Sequence, residues 1–90
     1  MTSLQELVRI IDICKDFEQK HFGEVLIVVE RSFVRGRWII RMGATDFSSG
    51  GHFSKEVIRE VIFGKKGLEK NVREVLESMY RELYDELYNF

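Results

Sequence analysis

The sequence predicts an α+β domain: an N-terminal helix, an antiparallel β-hairpin with room for a short third strand, and two C-terminal helices packed on the sheet. Three observations predict it. Apolar residues recur at helical spacing through the opening segment; a β-branched run, Val25-Leu26-Ile27-Val28-Val29, gives way to alternation around a glycine; and helical spacing returns after a Ser/Gly-rich stretch. With 90 residues, 44% hydrophobic and 32% charged, residues 1–90 read as a single compact domain. A domain of this length buries only a little over ~60% of the surface its unfolded chain exposes, so a homo-oligomer is expected.

The first helix opens at Ser3-Leu4-Gln5-Glu6, where the Ser hydroxyl and the Glu carboxylate can satisfy each other's backbone N–H groups. Leu4, Leu7, Val8, Ile11, Cys14 and Phe17 form its expected buried stripe, and it ends near Lys20 to Gly23 with His21 placed to cap the last carbonyls. On that stripe Cys14 is read as a small core hydrophobe rather than a nucleophile. The hairpin follows, with Arg35-Gly36 as its loop, so that Phe33 faces Trp38, Arg31 faces Ile40, Glu30 faces Arg41 and Val29 faces Met42. This register separates an apolar side (Ile27, Val29, Phe33, Trp38, Ile40, Met42) from a polar one (Glu30, Ser32, Arg37, Ile39, Arg41). Ser54 is the expected N-cap of a second helix, with Phe53 stapled to Ile58, Val57, Ile58, Val61 and Ile62 on its buried side, and Gly64 as its stop. A third helix runs from Leu68 almost to the C-terminus on the stripe Leu68, Val72, Val75, Leu76, Met79, Leu83 and Leu87.

Composition narrows the functional classes. The formal charge is −1 and the pI about 6.1, unlike a globally basic nucleic-acid binder, so any anion site has to be local. No apolar run approaches the ~18 residues of a membrane span and the N-terminus carries no basic and apolar leader, so a cytoplasmic protein without membrane contact is expected. One cysteine and two histidines exclude an intrachain disulfide and a structural zinc site, and no metal or cofactor is expected.

Three features carry the functional expectation. Arg31, Arg35, Arg37 and Arg41 stud the hairpin; guanidinium groups pair bidentately with phosphate or carboxylate, and Trp38 supplies a stacking surface. Ser48, Ser49, Gly50, Gly51, His52 and Ser54 then lead into the expected second helix, where backbone N–H groups, hydroxyls and a helix N-terminus suit an anion. Tyr80, Tyr84 and Tyr88, spaced by four residues along an acidic helix, widen its apolar arc and suggest an interface. The leading expectation is a non-enzymatic binding protein that holds a phosphate-bearing ligand, a nucleotide or nucleic-acid segment, through Arg35, Arg37, Trp38, Arg41 and the Ser/Gly loop. The alternative is a protein–protein interaction or inhibitor module acting through the tyrosine helix. In size and in its mix of acidic and basic surfaces the chain resembles small phage-encoded inhibitors and accessory proteins, a likeness of architecture alone. Asp46, His52 and the nearby serines, or Cys14 with a histidine, lack the spacing of a catalytic signature, so no catalytic residue is assigned.

Overall fold

The computed structural model describes residues 3–34, 36–45, 53–62 and 66–88. The elements run α1 (Ser3–Lys20), β1 (Val25–Arg31), β2 (Arg37–Thr45), β3 (Phe53–Ile62) and α2 (Leu68–Tyr88). The strands form one antiparallel sheet in the order β1-β2-β3. Both helices pack against the same side of it, so the molecule has two layers with one core between them.

The expected second helix is instead β3. Val57, Ile58, Val61 and Ile62 sit at a spacing that suits a helix face, but all four are β-branched and lose χ1 freedom in a helix. As a strand, the segment completes the hydrogen bonding of β2 and sends Val57 and Val61 inward while Ile58 and Ile62 face out. Ser54 therefore lies in a strand and caps no helix. The register of β2 with β3 shifts between Gly43 and Thr45, where β3 carries one extra residue. Gly64 lies outside the described residues.

The hairpin forms as expected but in a register two residues away from the predicted one: Arg31 pairs with Trp38, Val29 with Ile40 and Ile27 with Met42. Ser32 causes the difference. Its hydroxyl accepts the Val34 N–H at 3.2 Å and donates to Glu60 Oε1 at 3.0 Å, which ends β1 early. The chain then turns through Gly36 (φ 80°), with the Arg37 N–H donating to the Val34 carbonyl. Phe33, expected on the apolar side, is fully exposed at the tip. An even shift leaves strand parity intact, so the apolar and polar sides keep the remaining members assigned to them.

The core joins Ile10, Ile13, Cys14 and Phe17 of α1 to Trp38, Ile40, Met42 and Ala44 of β2 and to Leu68, Val72, Leu76, Met79 and Leu83 of α2, with Val25 and Val57 from the edge strands. Burying each large side chain contributes roughly 1.5–3 kcal/mol. The buried stripe of α1 is rotated from the expected one: Ile10 and Ile13 are inside, while Leu4 and Val8 are exposed. At the end of α1 the Gly23 N–H reaches the Glu18 carbonyl and the Phe22 N–H the Gln19 carbonyl, a Schellman closure. One turn earlier, the Glu18 carboxylate accepts the Ile27 N–H at 2.7 Å, so α1 satisfies a backbone donor of the edge strand β1.

Candidate functional site

Strand alternation that buries Trp38, Ile40 and Met42 under the helices must turn Arg37, Ile39 and Arg41 to the other side. The same alternation brings Leu26, Val28 and Glu30 out of β1, and Glu56, Ile58, Glu60 and Ile62 out of β3. No described element covers this outer face. Its aliphatic side chains stay accessible, with Leu26 at 39%, Val28 at 41%, Ile58 at 49% and Ile62 at 68% exposure. They lie on the two edge strands, with Ile39 of β2 between them, and the charged residues of the face stand among them.

The charges are organised in pairs. Arg41 lies between strands β1 and β3, its Nε 3.3 Å from Glu30 and its Nη1 3.6 Å from Glu56. Arg37 reaches Glu60 across the sheet at 3.6 Å. Among the described residues the face thus sets two guanidinium groups against three carboxylates. The approach of Arg41 to Glu30 lacks hydrogen-bond alignment, and its Nε is shut off from solvent with no hydrogen-bond acceptor, so this donor is unsatisfied. The Arg37–Glu60 and Arg41–Glu30 pairs stay about two-fifths exposed and Glu56 somewhat less, so solvent screens them and their contribution to stability is small.

The residues singled out from the sequence are not brought together. Arg37 and Arg41 share the outer face, while Trp38 is on the opposite one, 2% exposed, with the Arg31 guanidinium 4.9 Å above its ring. No face of that indole is left for a base to stack on, and Arg31 provides a cation–π contact at the rim of the core. Ser54 lies in β3, and Arg35, Ser48, Ser49, Gly50, Gly51 and His52 lie outside the described residues, as does the Asp46 considered with them. Tyr80 packs on the core against His21 (ring centroids 4.1 Å apart) and Phe17 (6.0 Å), so the His21 ring joins an aromatic cluster at the end of α1. Tyr84, 51% exposed, stands 6.3 Å from Tyr80 on the outward side of α2. Tyr88 is the last residue of α2, and its side chain lies outside the description.

Sequence reasoning misses the β3 part of the outer face because it assigns Glu56, Ile58, Glu60 and Ile62 to a helix. The apolar spacing gives no sign of a strand, because Glu56-Val57-Ile58-Arg59-Glu60-Val61-Ile62 repeats at four; the only local signal is that all four of its apolar residues are β-branched.

The other concave sites offer little chemistry. A hollow of about 410 Å³ between β3 and α2 is lined by Arg59, Val61, Ile62, Asn71, Val75 and Ser78, and Arg59 is held at its edge by an ion pair with Glu82. A smaller charged cleft, about 260 Å³, separates α1 from α2 and contains the Asp16–Arg73 ion pair. Among the described residues no group of histidine, cysteine and carboxylate side chains converges as metal ligands would. Burial, with Glu18 adding to it, pushes the Cys14 thiol up to about 12, which removes it as a nucleophile at neutral pH. No helix among the described residues is long and apolar enough to cross a membrane. Compared with family models, with curated proteins and with solved structures, the chain has no match.

Proposed function

We propose that this chain is a non-enzymatic protein-interaction module that works through the outer face of its sheet. The observation that carries this reading is the asymmetry of the fold. One side of the sheet is covered by two helices, and the other presents aliphatic side chains spaced by arginine and glutamate. Such a mixture suits a protein surface, because apolar contact provides the binding energy and charged pairs fix the register.

The phosphate-ligand reading is the weaker one. A phosphate at Arg37 and Arg41 would have to displace carboxylates already 3.3–3.6 Å away and would meet three negative charges on the same face. Trp38, the expected stacking residue, is committed to the core.

Two measurements on the purified chain separate the readings. Thermal unfolding with inorganic phosphate, nucleotides and short oligonucleotides is expected to show no shift, since only a ligand of the native state raises its stability. Affinity enrichment from the source cells with the wild-type chain and with Ile39→Lys/Ile58→Lys is expected to recover a protein with the first and lose it with the second. A stabilising shift with phosphate compounds that disappears in Arg37→Ala/Arg41→Ala would replace the interaction reading with the phosphate-binding one.

A further inference from the structure

The charges on the outer face are arranged as a cross. Ile39 is its centre. Arg37 and Arg41 stand two residues away on either side along β2, and Glu30 and Glu60 stand beside Ile39 on β1 and β3, at the same level. The corners beside Arg41 are Val28 and Ile58; those beside Arg37 are Ser32, whose N–H donates to the Arg37 carbonyl, and Ile62. The upright of the cross is therefore positive, its arms are negative, and its centre and three of its four corners are aliphatic.

A quarter turn superposes the upright of such a cross on its arms. From this we infer that the partner of the outer face is a second copy of the chain, packed sheet on sheet with the strands of the two copies crossing at near right angles. The inference rests on the reading of this face as an interaction surface and names its occupant. Orthogonal packing is one of the two standard ways in which sheets stack. About a two-fold axis it lays Arg37 and Arg41 of each copy over Glu30 and Glu60 of the other, and Ile39 over Ile39. Aligned packing, the other standard way, lays β2 on β2 and brings guanidinium against guanidinium, so the face selects against it. The crossed arrangement is isologous, as a two-fold dimer requires.

The size of the patch sets the strength. Strands ~4.8 Å apart carrying outward side chains ~6.8 Å apart give a contact that buries on the order of 1,000 Å² in total, near the lower limit for a specific interface. The dimer is expected to dissociate on dilution through the micromolar range and to weaken with added salt.

Charge exchange tests the geometry. Sedimentation velocity is run across a wide concentration range on the wild-type chain, on Arg37→Glu/Arg41→Glu, on Glu30→Arg/Glu60→Arg, on the two half-exchanged chains mixed, and on the chain carrying all four substitutions. Circular dichroism establishes that each is folded. The half-exchanged chains are each expected to raise the dissociation constant by roughly tenfold or more, because upright and arms then carry one sign. Their mixture is expected to dimerise at least as tightly as the wild type. The fourfold chain, whose cross is inverted but still self-complementary, is expected to return toward wild-type behaviour; it keeps the pairs between positions 30 and 41 and between 37 and 60, and loses the one between Arg41 and the unchanged Glu56. A wild-type chain that is monomeric at every concentration overturns the inference. So does a half-exchanged chain that dimerises normally, or a folded fourfold chain that fails to dimerise. The enrichment experiment with Ile39→Lys/Ile58→Lys reads the interaction face separately, so a monomeric wild type removes the second copy as partner without removing that reading.

Discussion

Phe22 occupies the position after the end of α1 at which helices commonly place glycine, and it does so with φ at 55°. An L-residue in this conformation costs roughly 1–2 kcal/mol, and the ring recovers almost none of it, being 90% exposed. Phe22→Gly is therefore expected to stabilise the fold by about 0.5–1 kcal/mol, the gain in the native state being partly offset by the greater freedom of glycine in the unfolded chain. Urea denaturation checks this; a lower midpoint for the variant would mean that the ring makes a contact worth more than the strain. Cys14 presents the opposite case, a reactive group silenced by its place. The thiol is 3% exposed and needs a pH near 12 to ionise, so it should resist thiol-labelling reagents at neutral pH in the folded chain and react at once in denaturant. Rapid labelling without denaturant would place it outside the core.

Among the elements, β3 shows what local pattern can and cannot decide. Its alternation makes Val57 buried and Ile58 exposed, whereas a helix would have buried both. Val57→Thr is expected to cost roughly 1–3 kcal/mol by burying a hydroxyl, and Ile58→Thr to stay within about 0.5 kcal/mol, both measured by urea denaturation. Equal losses would restore the helix. The helix was plausible because Ser54, Phe53 and the apolar spacing imitate a capped amphipathic segment; what decides against it is remote in sequence, the need of β2 for a hydrogen-bonded neighbour on its second edge. The registers of the two hairpins differ in legibility for a related reason. Parity in β1 and β2 follows from which residues are apolar, but the absolute register depends on one Ser32 hydroxyl that bonds forward to Val34 and across to Glu60. In α1, Leu4 and Val8 extend a second apolar flank, so spacing alone did not show that Ile10 and Ile13 face the sheet. Of the candidate site, Arg37 and Arg41 were legible because parity sets them opposite Ile40 and Met42. The same parity already put Trp38 on the buried side. Their partners Glu56 and Glu60 were hidden by the misassigned strand.

For the molecule as a whole, the two helices lie side by side on one layer, and an ion-pair cluster ties them together. Arg73 of α2 donates to Asp16 of α1 at 3.1 Å and pairs with Glu69 of its own helix at 3.2 Å, while Lys20 approaches Asp16 at 3.2 Å. Hydrogen bonds from Arg73 first, then Lys20, hold the Asp16 carboxyl below its ordinary value of 3.8, and Asp16 and Glu69 hold Arg73 above its own. A carboxyl whose folded pKa is depressed binds fewer protons in the native state than in the unfolded one, so its stabilising contribution is complete above 3.8 and is lost as the pH falls through the folded value. The wild-type chain should therefore show no change from this cluster between pH 7 and 5, and should lose stability below pH ~4 more steeply than Asp16→Asn. Because solvent reaches the cluster, the effect is small and fades with added salt. Thermal unfolding of both chains across the acid range, at low and high ionic strength, measures it. In Arg73→Ala the Asp16 carboxyl should titrate closer to 3.8 by NMR, with Lys20 still holding it down in part. An unchanged titration would show that Arg73 does not clamp the helices in solution. The outer-face pairs provide the contrast within the same molecule: they too are exposed and paired, but they lie on the layer that no described helix covers, so a second molecule that brings both signs of charge can exchange partners with them, where Asp16 and Arg73 hold α1 to α2.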